Sequence, residues 1–331
     1  MANPNPTTDH QPSSFHFHFS TVPGIFLQDD PTTDPNTFDY VSSNFGLIDR
    51  TYPSDPANDP ELETTPKTKT QWQRLDSYIA ELNGASPGEI TYKLLILGRH
   101  GQGVHNVAES RYGTAMWDCR YSLLNGDEHG SWFDAPLTDL GIEQARTANR
   151  AWKTQIANGI PPPQSYYVSP LMRCCETARV TFEGTKLPGT EPFRPLVKEL
   201  LRETLGLHTC DARSSKSAIQ AAYPSYTFEP GFSEEDPLHK DDLRESDSSR
   251  DARFYELLGD IFAHDKNSVL SLTAHSGAIS SILSVVGHRK FTLETGGVIP
   301  VLVKAERRGG EAPAREIEPW FPRPKCPGEA C

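Results

Sequence analysis

The chain of 331 residues lacks a long apolar run, and no stretch approaches the ~20 apolar residues of a transmembrane helix. Met1 to Ser20 interleaves Asn, Pro, Asp and His, so it lacks the apolar core of a signal peptide. Basic residues are also in deficit, since 44 acidic against 32 basic side chains give a net charge of -12. Nucleic acid and anionic membranes both require a basic face, so neither is expected as a partner. We expect a cytoplasmic protein, in which an anionic small substrate would need a local pocket of positive charge.

Cysteine is scarce, and its spacing shows no C-x-x-C pair. The six cysteines lie at positions 119, 174, 175, 210, 326 and 331. This distribution predicts free thiols in a reduced compartment, and it argues against a zinc site or a disulfide framework.

Proline is concentrated at the start of the chain, where the first seventy residues hold ten of the 28 prolines. Such a density argues against regular elements or a strand ladder of any length. Aromatic residues nevertheless recur, with Phe15, Phe17 and Phe19 in alternation. We therefore predict that residues 1–70 form an extended arm packed on a folded body, with residues 1–14 loose. The alternative is a disordered leader.

From Trp72 onward, helix and strand signals alternate. Apolar periodicity and capping residues predict helices, and short apolar runs predict strands. The predicted helices span 72–82, 138–158, 171–182 and 277–286, and the strands 94–97, 166–168, 269–273 and 298–304. This order predicts an α/β three-layer sandwich, in which a mostly parallel central sheet has helices on both faces.

The domain organisation follows from the same pattern. We expect a catalytic domain over residues 71–310 and a Pro-rich C-terminal tail over 311–331. Within that domain, residues 187–251 lack periodicity and carry many charges, which predicts an irregular insertion. The insertion is either a solvated charged face or a lid over the functional site.

Basic side chains follow three of the predicted strands. Arg99-His100-Gly101 ends the first strand, Arg173 comes soon after the second, and His275-Ser276-Gly277 follows the third. Ligands of open α/β sheets bind beyond the carboxyl ends of the strands, so these side chains are expected to converge. Guanidinium forks match phosphate oxygens, and imidazoles can donate a proton or attack phosphorus. Together they predict a cradle for a tetrahedral dianion.

These motifs resemble the histidine phosphatase superfamily, also called phosphoglycerate mutase-like, and point to its fungal phosphomutase-like branch. The resemblance covers roughly residues 93–303 and implies the phosphoglycerate mutase-like fold. It is carried by R-H-G-x-x-x-H-N at 99–106, Leu137-Thr138 with Gly141, S-P-L-x-R-x-x-E-T-A at 169–178, and H-S-G at 275–277.

The resemblance implies a role for each matching residue. His100 would accept the phosphoryl group as phosphohistidine, while Arg99, Arg173 and His275 would bind and stabilise that group in transfer. Further contacts to the phosphate would come from the first motif and the third, through Gly101, Asn106 and Ser276.

The general acid is assigned through the stretch at 201–206, which matches an N-E-R-x-x-G-like segment of the mutase-like branch. Glu203 would be the acid, although Arg202 replaces the usual Asn. A carboxylate of the charged insertion is the alternative.

The segment 207–217 follows this acid, and it resembles one found in fungal and plant members. Arg213 and Lys216 are candidates for binding an anionic group distal to the transferred phosphate, the alternative being a helix entry. His208, Cys210 and Asp211 are spaced too closely for a defined metal geometry, so no metal or cofactor is expected. His105 is interpreted as structural.

The predicted function is a metal-independent phosphatase that hydrolyses a small-molecule phosphate or diphosphate ester through phosphohistidine. The alternatives are a phosphomutase of the same fold and a non-catalytic phosphate-binding regulatory protein. A loop with Tyr112, Trp117, Trp132 and Phe133 is a candidate wall for an apolar leaving group. The sequence does not predict an oligomeric state.

Overall fold

The architecture is built on a seven-stranded sheet in the computed structural model, which describes residues 15–55, 69–86, 88–185 and 193–329. Its strands are β1 (Phe15–Thr21), β2 (Ile90–Arg99), β5 (Ser165–Val168), β6 (Leu196–Val197), β7 (Thr227–Phe228), β8 (Val269–Ala274) and β9 (Val298–Gly309). The spatial order is β1-β9-β2-β8-β5-β6-β7. Strands β2, β8, β5, β6 and β7 run parallel, and β9 pairs antiparallel with β2 on one side and with the edge strand β1 on the other. A short hairpin is formed by β3 (Gly126–Asp127) and β4 (Gly130–Ser131).

Helices cover both faces of the sheet, which confirms the predicted three-layer sandwich. They are α1 (Gln71–Ala85), α2 (Val104–Tyr112), α3 (Thr114–Cys119), α4 (Asp139–Ala157), α5 (Met172–Phe182), α6 (Lys216–Ala222), α7 (Asp247–His264) and α8 (Ser276–Val285). Strand β2 shows why a helical layer forms on each face of the sheet. Leu95 and Leu97 lie in one core cluster with α7 and α8, and Leu94 and Ile96 lie in another with α1 and α4. Its side chains alternate between the two faces, and both faces are buried.

The N-terminal arm forms a strand, which corrects the expectation that its prolines prevent a ladder. β1 pairs with β9 over seven residues, and no proline lies within it. Alternation of Phe15, Phe17 and Phe19 is the period-two signal of a half-buried strand. Further along the arm, Phe26 and Phe45 are fully buried. The arm is therefore packed on the body across residues 15–55, and the loose segment predicted at 1–14 lies outside the described residues.

The segment 187–251 is more regular than expected. It supplies β6 and β7 to the central sheet and the short helix α6. Its charges are of two kinds: Arg202 is fully buried and pairs with Glu199 and Asp236, whereas Asp241 and Asp242 are exposed, as a solvated charged face predicts. The sequence pattern missed these two strands because each has only two residues.

A disulfide joins Cys119 to Cys326 across 207 residues, and it corrects the prediction of six free thiols. A pairing over that separation leaves no spacing pattern in the sequence. Cys174, Cys175 and Cys210 are free and buried, and position 331 lies outside the described residues. The bond ties the C-terminal tail to the body, where Phe321 also forms a backbone bridge with Arg244.

No helix in the described ranges is both long enough and apolar enough to cross a membrane.

Candidate active site

The first and third motifs meet because β2 and β8 are neighbouring parallel strands. Arg99 and Ala274 are in register, and the His100 backbone N–H donates to the Ala274 carbonyl at 3.0 Å. The ring centroids of His100 and His275 consequently lie 5.1 Å apart. Both side chains are buried, at 2% and 0% exposure. The predicted convergence of these strand ends is confirmed.

His100 is held in one orientation by the backbone. Its Nδ1 lies 2.7 Å from the Gly101 carbonyl oxygen, so Nδ1 carries the proton and Nε2 keeps its lone pair. Burial, and after it the positive charge of Arg173, lowers the pKa of His100 well below its ordinary value. The imidazole is therefore neutral. Gly101 serves this geometry by its small size, because a Cβ there would lie 2.2 Å from the Gly141 carbonyl oxygen.

His275 is oriented by the end of β5. Its Nε2 lies 2.7 Å from the Ser169 hydroxyl, and the Cys174 thiol is 3.3 Å from the same nitrogen. Burial and the nearby Arg173 lower the pKa of His275 well below its ordinary value. The second motif thus fixes the histidine of the third.

The two arginines have unused donors, and Arg173 is buried whereas Arg99 is half-buried. Arg173 is 1% exposed and donates to the Cys210 carbonyl at 2.6 Å and to Asp211 at 2.8 Å. Arg99 donates to the Leu293 carbonyl at 2.6 Å. The Nε–H groups of both arginines are buried without a hydrogen-bond partner in the described part of the chain. Such unpaired donors are costly, and they are typical of a site that binds an anion.

The sequence analysis did not identify Asp211 as the ion-pair partner of Arg173. Its carboxylate bridges Arg173 at 2.8 Å and Arg244 at 2.9 Å. Burial alone would raise the pKa of Asp211, but Arg244 and Arg173 hold it well below its ordinary value. The segment containing Asp211 carried no signal that it would face Arg173, because the two positions are 38 residues apart in sequence.

Glu203 lies at the N-terminus of α8. Its Oε2 accepts from the Gly277 backbone N–H at 2.9 Å, and Oε1 accepts from Thr204 N–H at 2.8 Å. A Cβ at Gly277 would lie 2.1 Å from Oε1, so the glycine of the H-S-G motif makes room for the carboxylate. Ser276 is the first residue of the same helix. The predicted acid therefore lies beside the third motif.

Asn106 lies in the first turn of α2. Its Oδ1 accepts from the Gly103 backbone N–H at 2.9 Å, which leaves the side-chain amide as a donor. His105, one position earlier, has its ring centroid 5.5 Å from that of His100.

Arg213 and Lys216 are the two residues that the sequence predicted to bind a distal anionic group. Arg213 is 3% exposed and spends its Nε and both terminal nitrogens on Glu199 and on oxygens of residues 214 and 233–235. The prediction that Arg213 binds a distal anion is therefore wrong, since no donor nitrogen is left unoccupied. The Lys216 ammonium lies 5.4 Å from the Phe228 ring centroid, and its substrate role stays a prediction.

The aromatic loop after the first motif is mostly core. Trp117 and Trp132 are 3% and 1% exposed and pack together with Cys210. Tyr112 stacks on Tyr121, with ring centroids 3.6 Å apart. Phe133, at 42% exposure, is the exposed member of the predicted wall.

The side chains of His208, Cys210 and Asp211 do approach one another, with ligand atoms all within 4.8 Å. The spacing argument against this cluster is wrong on that point. Both Asp211 oxygens are nevertheless bonded to arginines, and their positive charge opposes a second cation. The cluster does not fit a metal.

The chain is similar to known proteins in sequence and in structure. The sequence model of the "Histidine phosphatase superfamily (branch 1)" matches residues 95–294. The chain is 54% identical over 288 residues to "Probable phosphoglycerate mutase" of Arthroderma benhamiae, covering 87% of this chain and 84% of that protein. It is 33% identical over 311 residues to "Phosphomutase-like protein 3" of Candida albicans, covering 92% and 87% respectively. A phosphoglycerate mutase structure from Thermus thermophilus matches with 23% identity and a TM-score of 0.34, over 62% of this chain and 91% of that one.

Proposed function

The chain belongs to the histidine phosphatase superfamily, and on that premise we propose that it is a phosphatase. It hydrolyses a small-molecule phosphate or diphosphate ester through phosphohistidine, without a metal ion. One observation carries the proposal: within the described residues, the buried Nε–H groups of Arg99, at the end of β2, and of Arg173, at the start of α5, have no hydrogen-bond partner. Two fixed positive charges with free donors match the two negative charges of a phosphate monoester.

The first step is attack by the His100 Nε2 lone pair on phosphorus. An N–P bond forms, and the bond from phosphorus to the leaving oxygen breaks. The Gly101 carbonyl holds Nδ1–H in place, so the ring needs no reorientation before attack. Arg99, Arg173 and His275 stabilise the charge on the non-bridging oxygens, which is the main contribution available in phosphoryl transfer.

Glu203 supplies the proton in the first step and removes one in the second. Its carboxyl group donates a proton to the leaving oxygen. In the second step water attacks phosphorus, the resulting carboxylate accepts a proton from that water, the N–P bond breaks with its electron pair returning to His100 Nε2, and inorganic phosphate leaves. The other acids packed within 187–251 are held by arginines, namely Glu199, Asp211, Asp236 and Glu245. Glu203 forms no ion pair within the described residues, which supports it over these four carboxylates.

A phosphomutase is the second candidate, and the names of the Arthroderma and Candida relatives favour it. The two reactions share phosphohistidine and differ in the acceptor, which is water in a phosphatase and a second hydroxyl in a mutase. Incubation with phosphoglycerate separates them: net release of inorganic phosphate indicates hydrolysis, and isomerisation without release indicates mutase activity.

The decisive experiment uses the full chain with p-nitrophenyl phosphate in excess EDTA. We expect phosphate release to persist and His100→Ala to abolish it. His288→Ala, which removes a buried histidine elsewhere, is the matched control and should remain active. Activity lost in EDTA and restored by magnesium would contradict a metal-independent mechanism.

A quenched single turnover tests the intermediate. Wild-type protein should carry acid-labile, base-stable phosphate, and His100→Ala should carry none. Absence of this phosphoprotein in an active wild type would reduce His100 to a binding residue.

A further inference from the structure

His105 is a third histidine beside the phosphate site, and the mechanism above leaves it unused. It is the second residue of α2, is 8% exposed, and has its ring centroid 5.5 Å from that of His100. Its Nδ1 is buried without a partner. In the described part of the chain, no hydrogen bond to either of its ring nitrogens is formed.

His288 shows what a structural histidine looks like in this protein. It has the same 8% exposure, but its Nδ1 lies 2.7 Å from the Arg289 carbonyl oxygen and its Nε2 lies 3.2 Å from Asp29. Leaving a buried ring nitrogen unsatisfied costs about 1–3 kcal/mol. His239 also has a buried Nδ1 without a partner, but its Nε2 lies 3.4 Å from Asp241. The comparison favours a ligand as the partner of His105.

The local chain makes room for the unpaired edge of this ring. A Cβ on Gly103 would lie 2.5 Å from Nδ1, so any larger residue there would displace the ring. Gly103 also precedes α2, where Asn106 presents its side-chain amide. The Nδ1 edge of His105 therefore lies at the same helix start as the predicted amide donor.

The charge state of His105 also suits a neutral donor. Burial, followed by the positive charge of Arg173, lowers its pKa well below the ordinary value. A neutral imidazole has one N–H to donate, and it adds no repulsion to the neighbouring guanidinium groups.

We propose that His105 binds the transferred phosphoryl group by donating Nδ1–H to one of its oxygens, so that three imidazoles surround the phosphate. The inference rests on the proposed function. Loss of one preorganised donor to a transition state costs about 10²-fold in kcat.

Three substitutions at position 105 test this contact. In His105→Asn the amide lies near the place of Nδ1, in His105→Gln it lies near Nε2, and His105→Leu has no donor. We expect kcat to fall about 10²-fold in the Leu variant. The fall should be smaller in the Asn variant, and the Gln variant should lose more activity than the Asn variant. His288→Leu is the matched control and should lower the melting temperature while leaving kcat unchanged.

Binding of inorganic phosphate and vanadate gives a readout that does not depend on turnover. Calorimetry on His105→Leu should show weaker binding of both ions, with a larger loss for vanadate, which mimics the transition state. Unchanged affinity, or a Leu variant that loses thermal stability alone, would overturn the inference. A Gln variant equal to or better than the Asn variant would overturn the assignment to Nδ1. A wild type that binds phosphate through His105 but never releases it from an ester would contradict the proposed function instead.

Discussion

Asp211→Asn is the most informative single substitution outside the histidines. The carboxylate is 4% exposed and bridges Arg173 at 2.8 Å and Arg244 at 2.9 Å. An asparagine has nearly the same shape, but it offers one acceptor oxygen and an NH₂ group. The arginine that faces the NH₂ group has a donor opposite its own donors, so that hydrogen bond is lost. Both guanidinium groups also lose the negative charge that Asp211 supplies.

The expected loss of stability follows from burial. Breaking a buried ion pair by removing one partner costs about 3–5 kcal/mol. An unfolding entropy of about 2.1 cal/mol/K per residue gives roughly 0.7 kcal/mol/K for 331 residues. A loss of about 4 kcal/mol therefore lowers the melting temperature by about 6 °C.

Activity should fall as well, because Asp211 orients the guanidinium that binds phosphate. We expect kcat/KM to drop at least about 10-fold, the effect of a misplaced transition-state donor. Asp29→Asn is the control: this carboxylate is 6% exposed, pairs with His288 and lies in the N-terminal arm. It should destabilise the protein with little change in kcat/KM. An Asp211→Asn variant that melts and turns over like wild type would refute the bridging role.

Other predictions address the remaining parts of the structure. His275→Ala should lower kcat by about 10²-fold in a steady-state assay, whereas a change in KM alone would indicate ground-state binding. Cys326→Ser should lower the melting temperature by opening a loop of 207 residues, a loss of at most about 5 kcal/mol, and should abolish the response to reductant. Deleting residues 1–48 should destabilise the body, because β1 and the buried Phe26 and Phe45 are removed; a truncated chain with native melting would contradict this. The melting temperature should fall as the pH decreases below about 6.5. The pKa values of His100 and His275 are lowered in the folded protein, so below that pH the unfolded chain binds more protons and is favoured.

The strands and helices that carry the motifs were predictable from sequence because their apolar patterns are strong. β8 is buried at every position, and α4 starts at the capping residue Thr138. The convergence of His100 with His275 followed from the parallel pairing of their strands. The agreement is not general, because α2 and the 18-residue helix α7 were not predicted from the sequence.

The misses have two causes: in one case composition outweighed a local signal, and in the other a charged side chain was already paired within the fold. Proline density hid the strand at Phe15–Thr21, although the alternating phenylalanines were the relevant signal. The positive charge of Arg213 indicated an anion site, but the carboxylate it meets belongs to Glu199 in the same segment. Charge alone does not distinguish a donor that faces a ligand from one already paired within the fold.

The charge balance of the site connects binding to catalysis on the proposed mechanism. Arg99, Arg173 and Arg244 against the single carboxylate of Asp211 leave an excess of two positive charges, which matches a phosphate dianion. None of these arginines is hydrogen-bonded to Glu203 in the described part of the chain, and the Glu203 oxygens accept from the backbone N–H groups of Gly277 and Thr204. On the proposed mechanism the arginines therefore bind the dianion, and Glu203 exchanges a proton first with the leaving oxygen and then with the attacking water.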